Sequence, residues 1–295
     1  MAQADEPLHD AIRAHYHTLF STWGCQHWWP AQSRFEVIVG AYLTQNTSWR
    51  NVEKALRNLR QARLLTIDGI RHTPPADLER LIRPAGYFRQ KAGRLKTFVG
   101  FLDQRYHGSL RRMFARPTAA LREELLALKG VGPETADSIL LYAGNHAVFV
   151  VDAYTRRIFE RHGLIARADS YDDIRGWFEQ ALWEAFSPLP ERQAAKPAEI
   201  GPPGSCHRPS RMSLAARTPL VQVFNEMHGL IVGVGKTYCL KSELRCWQCP
   251  LQKFLPPAEQ GSDGHRADGE PGSGCAGRLS GEIHPRRHSG GGQGR

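Results

Sequence analysis

The chain has 295 residues, 41% of them hydrophobic and 23% charged, and carries a net charge of +10. That length supports one large domain or two small ones around a sizeable core. No apolar run approaches the ~18 residues of a membrane span, and the basic excess favours an anionic partner, nucleic acid above all.

The N-terminus, "MAQADEPLHDAIRAHYHTLF", is acidic and then amphipathic. It lacks the apolar core of a signal peptide, so a cytoplasmic protein is expected. "WGCQHWWPAQSRF" and "NTSW" supply Trp23, Trp28, Trp29 and Trp49, which serve either as core or as a recognition surface. In "RFEVIVGAYLTQ", Phe35, Ile38, Val39 and Tyr42 recur at the spacing of a buried helix face. The next helix, in "NTSWRNVEKALRNLRQARLL", has Asn46, Thr47 and Ser48 as candidate caps and Val52, Leu56 and Leu59 as its inner face. Further helical patterns run near 76–83, 87–105, 118–128, 134–143, 153–162, 171–186 and 219–234, and "HAVFVVDAY" is the one β-rich run. The fold class is all-α. Residues 187–218, rich in Pro and Gly and without apolar period, read as a long exposed loop, and the polar, Gly- and Arg-rich 256–295 as a disordered tail.

The most informative stretch is "ALREELLALKGVGPETADSILLYA". Leu121, Leu125 and Leu128 make one helical face, Gly130 and Gly132 are expected to reverse the chain with positive φ, and Pro133 suits the first turn of a new helix. A helix, a Gly hairpin and a second helix aim backbone N–H groups and a positive helix end outward together. On a basic chain that is a cradle for a DNA phosphate; the plain alternative is an ordinary corner between two helices.

This stretch, with Asp152 of "VFVVDAYTRRIF" twenty residues past Gly132, resembles the helix-hairpin-helix DNA glycosylase superfamily, specifically its endonuclease III branch. The resemblance extends over "FEVIVGAYLTQNTSWRNVEKAL", "PAGYFRQKAGRLK" and "FNEMHGLIVGVGKTYC", roughly residues 20–186 and 219–255. It implies two helical subdomains of the endonuclease III type: 33–150 with the hairpin (Lys129, Gly130, Val131, Gly132 on DNA), and 1–32 with 151–255, which includes the 187–218 insert and a cysteine loop at 239–255. It implies Asp152 as the catalytic carboxylate, where an aspartate at a helix start is otherwise a cap. Branch members that also cut the strand carry a lysine where this chain has Glu134. A carboxylate forms no Schiff base, so the resemblance implies a monofunctional enzyme, with no obvious second acid to protonate a poor leaving group. Alkylated purines, cationic already, would suit it.

Trp28, Trp29 and Pro30 look like the aromatic base pocket of the bacterial 3-methyladenine glycosylases of this branch, with Trp49 beside them. An indole face favours a cationic purine. Lys236, in the stretch that also holds His228, takes the place of a pocket lysine. Gln45 matches the side chain that fills the gap of the flipped base, or is a surface cap. "GVGKT" is no phosphate loop, because Leu230 stands where its first glycine belongs.

Cys239, Cys246 and Cys249 follow the C-x6-C-x2-C part of the branch's iron–sulfur loop, but the fourth position is Leu255. The loop therefore holds a 4Fe–4S cluster incompletely or with a substitute ligand, is empty, or binds zinc. Cys275 and Cys206 are the remaining cysteines near enough to consider. The expected function is excision of damaged bases from duplex DNA by a monomer. The alternatives are a bifunctional glycosylase and lyase on oxidised pyrimidines, or a damaged-DNA-binding protein without catalysis.

Overall fold

A computed structural model describes residues 6–186 and 209–256. Among these the chain is helical, and its only β pairing is an isolated bridge between Cys239 and Leu244. Twelve α-helices follow in order: α1 (Glu6–Trp23), α2 (Arg34–Thr44), α3 (Trp49–Gln61), α4 (Ile67–His72), α5 (Pro75–Ile82), α6 (Phe88–Tyr106), α7 (Leu110–Met113), α8 (Thr118–Leu126), α9 (Pro133–Ser138), α10 (Ala153–Arg161), α11 (Tyr171–Phe186) and α12 (Pro219–Thr237). A π-helical turn, Ile139–Gly144, continues α9.

Helix α2 starts where Ser33 caps it, its hydroxyl accepting the Glu36 N–H at 3.1 Å. The spacing predicts one buried face, yet every residue from Phe35 to Leu43 is buried. The reason is position: α2 is a central helix, packed on α3, α6, α9 and the π turn. Helix α3 buries Val52, Leu56 and Leu59 as its pattern requires. Its N-cap is Ser48, which makes no side-chain cap bond. The neighbouring Thr47 instead donates to the Ala85 carbonyl.

The helices fall into two packing groups. Helices α1, α10 and α11 gather on α12, and α2 to α9 pack among themselves; the π turn touches both α2 and α12. From the π turn an extended segment with Val148, Phe149, Val150 and Val151 buried runs to Asp152. Phe149 stacks on Phe178 of α11 with centroids 4.5 Å apart.

Over 209–218, the described part of the expected exposed loop 187–218, Pro209, Arg211, Leu214, Ala216 and Thr218 are exposed but the segment also turns inward. Ser210, Met212 and Ser213 are buried. The Ser210 hydroxyl bridges the Trp29 carbonyl and the Ala31 N–H, each at 3.2 Å, and the Met212 N–H donates to the Ala31 carbonyl at 3.0 Å. Polar residues without apolar period can still be interior when the backbone answers them. The expected tail, apart from Pro256, lies outside the described residues, as do Cys206 and Cys275. No described helix is long and apolar enough to cross a membrane.

Candidate active site

The hairpin joins α8 to α9. Leu121 and Leu125 anchor α8 in the core, and the Val131 N–H closes the turn on the Leu128 carbonyl at 3.0 Å. Gly130 has φ +84°, and a β-carbon there would stand 2.1 Å from Nε of Arg94. Gly132 departs from expectation: its φ is −98°, open to any residue, and a β-carbon there would meet nothing within 4 Å. Its glycine leaves the outer side of the hairpin bare. Lys129 is exposed beside it. Gln45, the C-cap of α2, reaches this hairpin: its Nε2 donates to the Gly130 carbonyl and the Thr135 hydroxyl, both at 2.9 Å, while Oε1 accepts from Arg94 at 2.6 Å. It is thus tied to the hairpin and is not a free surface cap.

Asp152 is both cap and buried carboxylate. As N-cap of α10 its Oδ1 accepts from the Tyr154 and Thr155 N–H groups at 2.9 and 2.8 Å and from the Thr155 hydroxyl at 3.0 Å. Its Oδ2 lies 3.4 Å from Nε2 of His228. Burial pushes its pKa up, but His228 and the α10 donors outweigh burial and hold it below the usual carboxylate range. His228 is itself oriented by a hydrogen bond between Nδ1 and the buried Tyr142 hydroxyl. With the phenol donating, His228 turns an Nε2–H toward Asp152.

A second carboxyl, Glu134, stands within electrostatic reach of Asp152. Glu134, in the first turn of α9, has an exposed side chain, yet the protein packed around its carboxyl removes part of that group's hydration. That desolvation, with the negative charge of Asp152 added, pushes its carboxyl up to about 7. Two carboxyls with their pKa values driven apart share the site, one ionised and one able to hold a proton near neutrality.

The tryptophans converge beside them. Trp28 and Trp29, joined by a cis peptide, are buried, while Trp49 is half-buried. The Trp29 ring lies 5.2 Å from Trp49 and 5.1 Å from Tyr142, both centroid to centroid. Lys236 places its ammonium 5.4 Å from the Trp28 ring, so the face expected to receive a cationic base already holds a cation. Burial lowers the Lys236 pKa, and Asp152 and Glu53 act against that.

At the opposite end of α10 from Asp152, Cys239, Cys246 and Cys249 line one apolar pocket with Arg161, His162, Leu251 and Leu255. Arg161 donates to Sγ of Cys239 at 3.0 Å and to the Leu240 carbonyl at 2.9 Å. No three His, Cys, Asp or Glu side chains among the described residues converge closely enough to hold a single metal ion.

Asp152, Glu134, the tryptophans and Lys236, all singled out by the sequence, lie in one region of the fold. Tyr142, Arg94 and His228 join them with no sequence signal. Each meets its partner only through tertiary packing, and no local pattern signals it.

The sequence profile of the HhH-GPD superfamily base excision DNA repair proteins matches residues 39–187. A Methanocaldococcus jannaschii protein provisionally named a DNA repair glycosylase is 40% identical over 241 residues, 81% of this chain and 93% of its own length. Mouse endonuclease III-like protein 1 is 29% identical over 78% of this chain, which spans 62% of that protein. Among solved structures, the H. pylori 3-methyladenine DNA glycosylase bound to 1,N6-ethenoadenine is similar with a TM-score of 0.60 and 29% identity, over 78% of this chain and 97% of that one. An endonuclease III–DNA complex shares the fold at 20% identity and a TM-score of 0.60, covering 85% and 97% of the two chains. The chain thus belongs to the HhH-GPD superfamily of base excision DNA repair proteins and is a DNA glycosylase of the endonuclease III type.

Proposed function

We propose that this glycosylase hydrolyses damaged purines, alkylated ones above all, from duplex DNA and leaves the abasic strand uncut. The observation that carries this reading is the pair of carboxyls, Asp152 and Glu134, beside the tryptophan cluster, with no amine at the Glu134 position. Breaking the N-glycosidic bond builds positive charge on the sugar. An ionised Asp152 opposes that charge, and since Oδ1 is committed to α10, Oδ2 is the oxygen that faces the sugar and a water. Glu134 cannot form the Schiff base that strand cleavage requires; protonated, it can donate to a departing base.

The base would stack on the half-buried Trp49, with Trp29 behind it and Lys236 held on Trp28. The 3-methyladenine glycosylase of H. pylori, similar over most of this chain, supports an alkylated purine as the substrate. DNA would cross between the two helix groups as separate subdomains of a monomer. Its phosphates would lie on Lys129, Val131 and the bare side of Gly132, with Gln45 leaving Gly130 to enter the gap.

We read the cysteine loop as an iron–sulfur site. Three thiol side chains line one apolar pocket without converging on a point, and a cluster carries its ligands on separate irons. Cys239, Cys246 and Cys249 would hold it, and when bound it ties the loop to the end of α12.

The reading is tested by incubating the protein with duplexes carrying 3-methyladenine, 7-methylguanine, oxidised thymine or uracil. Breaks at the alkylated purine that need alkali support it. Breaks without alkali, or a borohydride-trapped complex, would show a lyase instead, and no release from any duplex would leave a binding protein.

A further inference from the structure

His162 ends α10 as its C-cap and lines the pocket of the three cysteines. Its Nδ1 lies 3.1 Å from Nε2 of His15. His15, on α1, is 1% exposed, and its own Nδ1 lies 2.7 Å from the Ala11 carbonyl oxygen. A carbonyl can only accept, so the His15 proton sits on Nδ1. An imidazole buried without a carboxylate partner is neutral, so its Nε2 accepts. His162 must then donate from Nδ1, and the lone pair of its ring is left on Nε2. That is the tautomer of a metal-ligating imidazole whose far nitrogen is held by a hydrogen bond. Phe254 stacks on His15 with centroids 4.3 Å apart, which packs the histidine pair against the end of the cysteine loop. The next residue, Leu255, walls the same pocket but brings no donor atom.

We propose that Nε2 of His162 is the fourth ligand of an iron–sulfur cluster held by Cys239, Cys246 and Cys249. It takes over from the residue that Leu255 replaces. The proposal rests on the reading of this loop as a cluster site. Imidazole is a neutral donor where thiolate is an anion, so the cluster carries one negative charge less than a four-cysteine cluster. Histidine ligation raises the reduction potential for that reason.

The test uses the full chain, purified without oxygen and supplied with iron and sulfide, with histidine labelled with nitrogen-15. Four proteins are compared: wild type, His162→Ala, Leu255→Cys and the double variant. Iron and sulfide are counted, and nitrogen hyperfine coupling is measured on the paramagnetic cluster. The expected result is about four irons per chain and a histidine nitrogen coupling in the wild type. His162→Ala loses most of its iron, and the double variant regains the iron without the coupling. Iron in the wild type with no nitrogen coupling, or a coupling that survives His162→Ala, overturns the role of His162 and leaves the cluster reading intact. Iron in Leu255→Cys but not in the wild type does the same. No iron in any of the four overturns the cluster reading itself.

Discussion

Asp152 and His162 cap the two ends of one helix. Helix α10 is nine residues long, about 14 Å at 1.5 Å per residue. Its first turn donates to the carboxylate, and its last reaches the cysteine pocket. Between them, Arg157 donates to the Cys239 and Gly235 carbonyls at 2.8 and 3.0 Å. Arg161 adds its own bonds to Cys239 and Leu240. The loop therefore braces the helix that sets the position of the carboxylate.

Arg157→Ala should loosen that brace. Two hydrogen bonds from a charged donor are lost, and a destabilisation of about 2–3 kcal/mol is expected. Base release should fall with it. Thermal melts with a base-release assay at a permissive temperature check this.

The two hairpin glycines should separate in their effects. Gly130→Ala forces a β-carbon into Arg94 at a φ of +84° and should cost about 1–2 kcal/mol, with Gln45 losing its bond from Arg94. Gly132→Ala has an ordinary φ and open space. Its stability should stay within about 0.5 kcal/mol of the wild type, while affinity for duplex DNA should fall, since the methyl group would occupy the bare side proposed to receive phosphate. Melting curves and binding isotherms at fixed salt tell the two apart.

Glu134 gives a pH signature. Its folded carboxyl is raised to about 7 from its ordinary value of 4.5. Between those pH values the native state keeps a proton that the unfolded state has released, so stability falls as pH rises from about 5 to 8. Glu134→Gln lacks the titrating group. It should match the wild type near pH 5 and melt above it at pH 8. Equal melting differences at both pH values would refute the raised carboxyl.

The place of Asp152 at the start of α10 was legible because its cue is local, an aspartate before a helical run. Gly130 was legible for the same reason, since a tight reversal demands positive φ. Gly132 was not, because its glycine serves space outside the turn and not the turn itself. Lys91 shows the limit most clearly. It is 1% exposed, and its ammonium donates to the Leu43 and Ala85 carbonyls and the Thr47 hydroxyl at 2.8–2.9 Å. Burial lowers its pKa to about 8. Three acceptors from two segments, Leu43 and Thr47 on one and Ala85 on the other, make that burial tolerable, and no spacing of residues announces them. The raised carboxyl of Glu134 and the His15–His162 pair arise likewise, from groups that only the folded chain brings together.

The most direct measurement of the central claim is release of 3-methyladenine from a duplex by wild type and Asp152→Asn, with abasic sites revealed by alkali. The account predicts release by the wild type with the strand intact before alkali. The variant should be slower by about a hundredfold or more, with unchanged binding to a duplex that carries an abasic-site analogue. Undiminished release by Asp152→Asn would contradict the account.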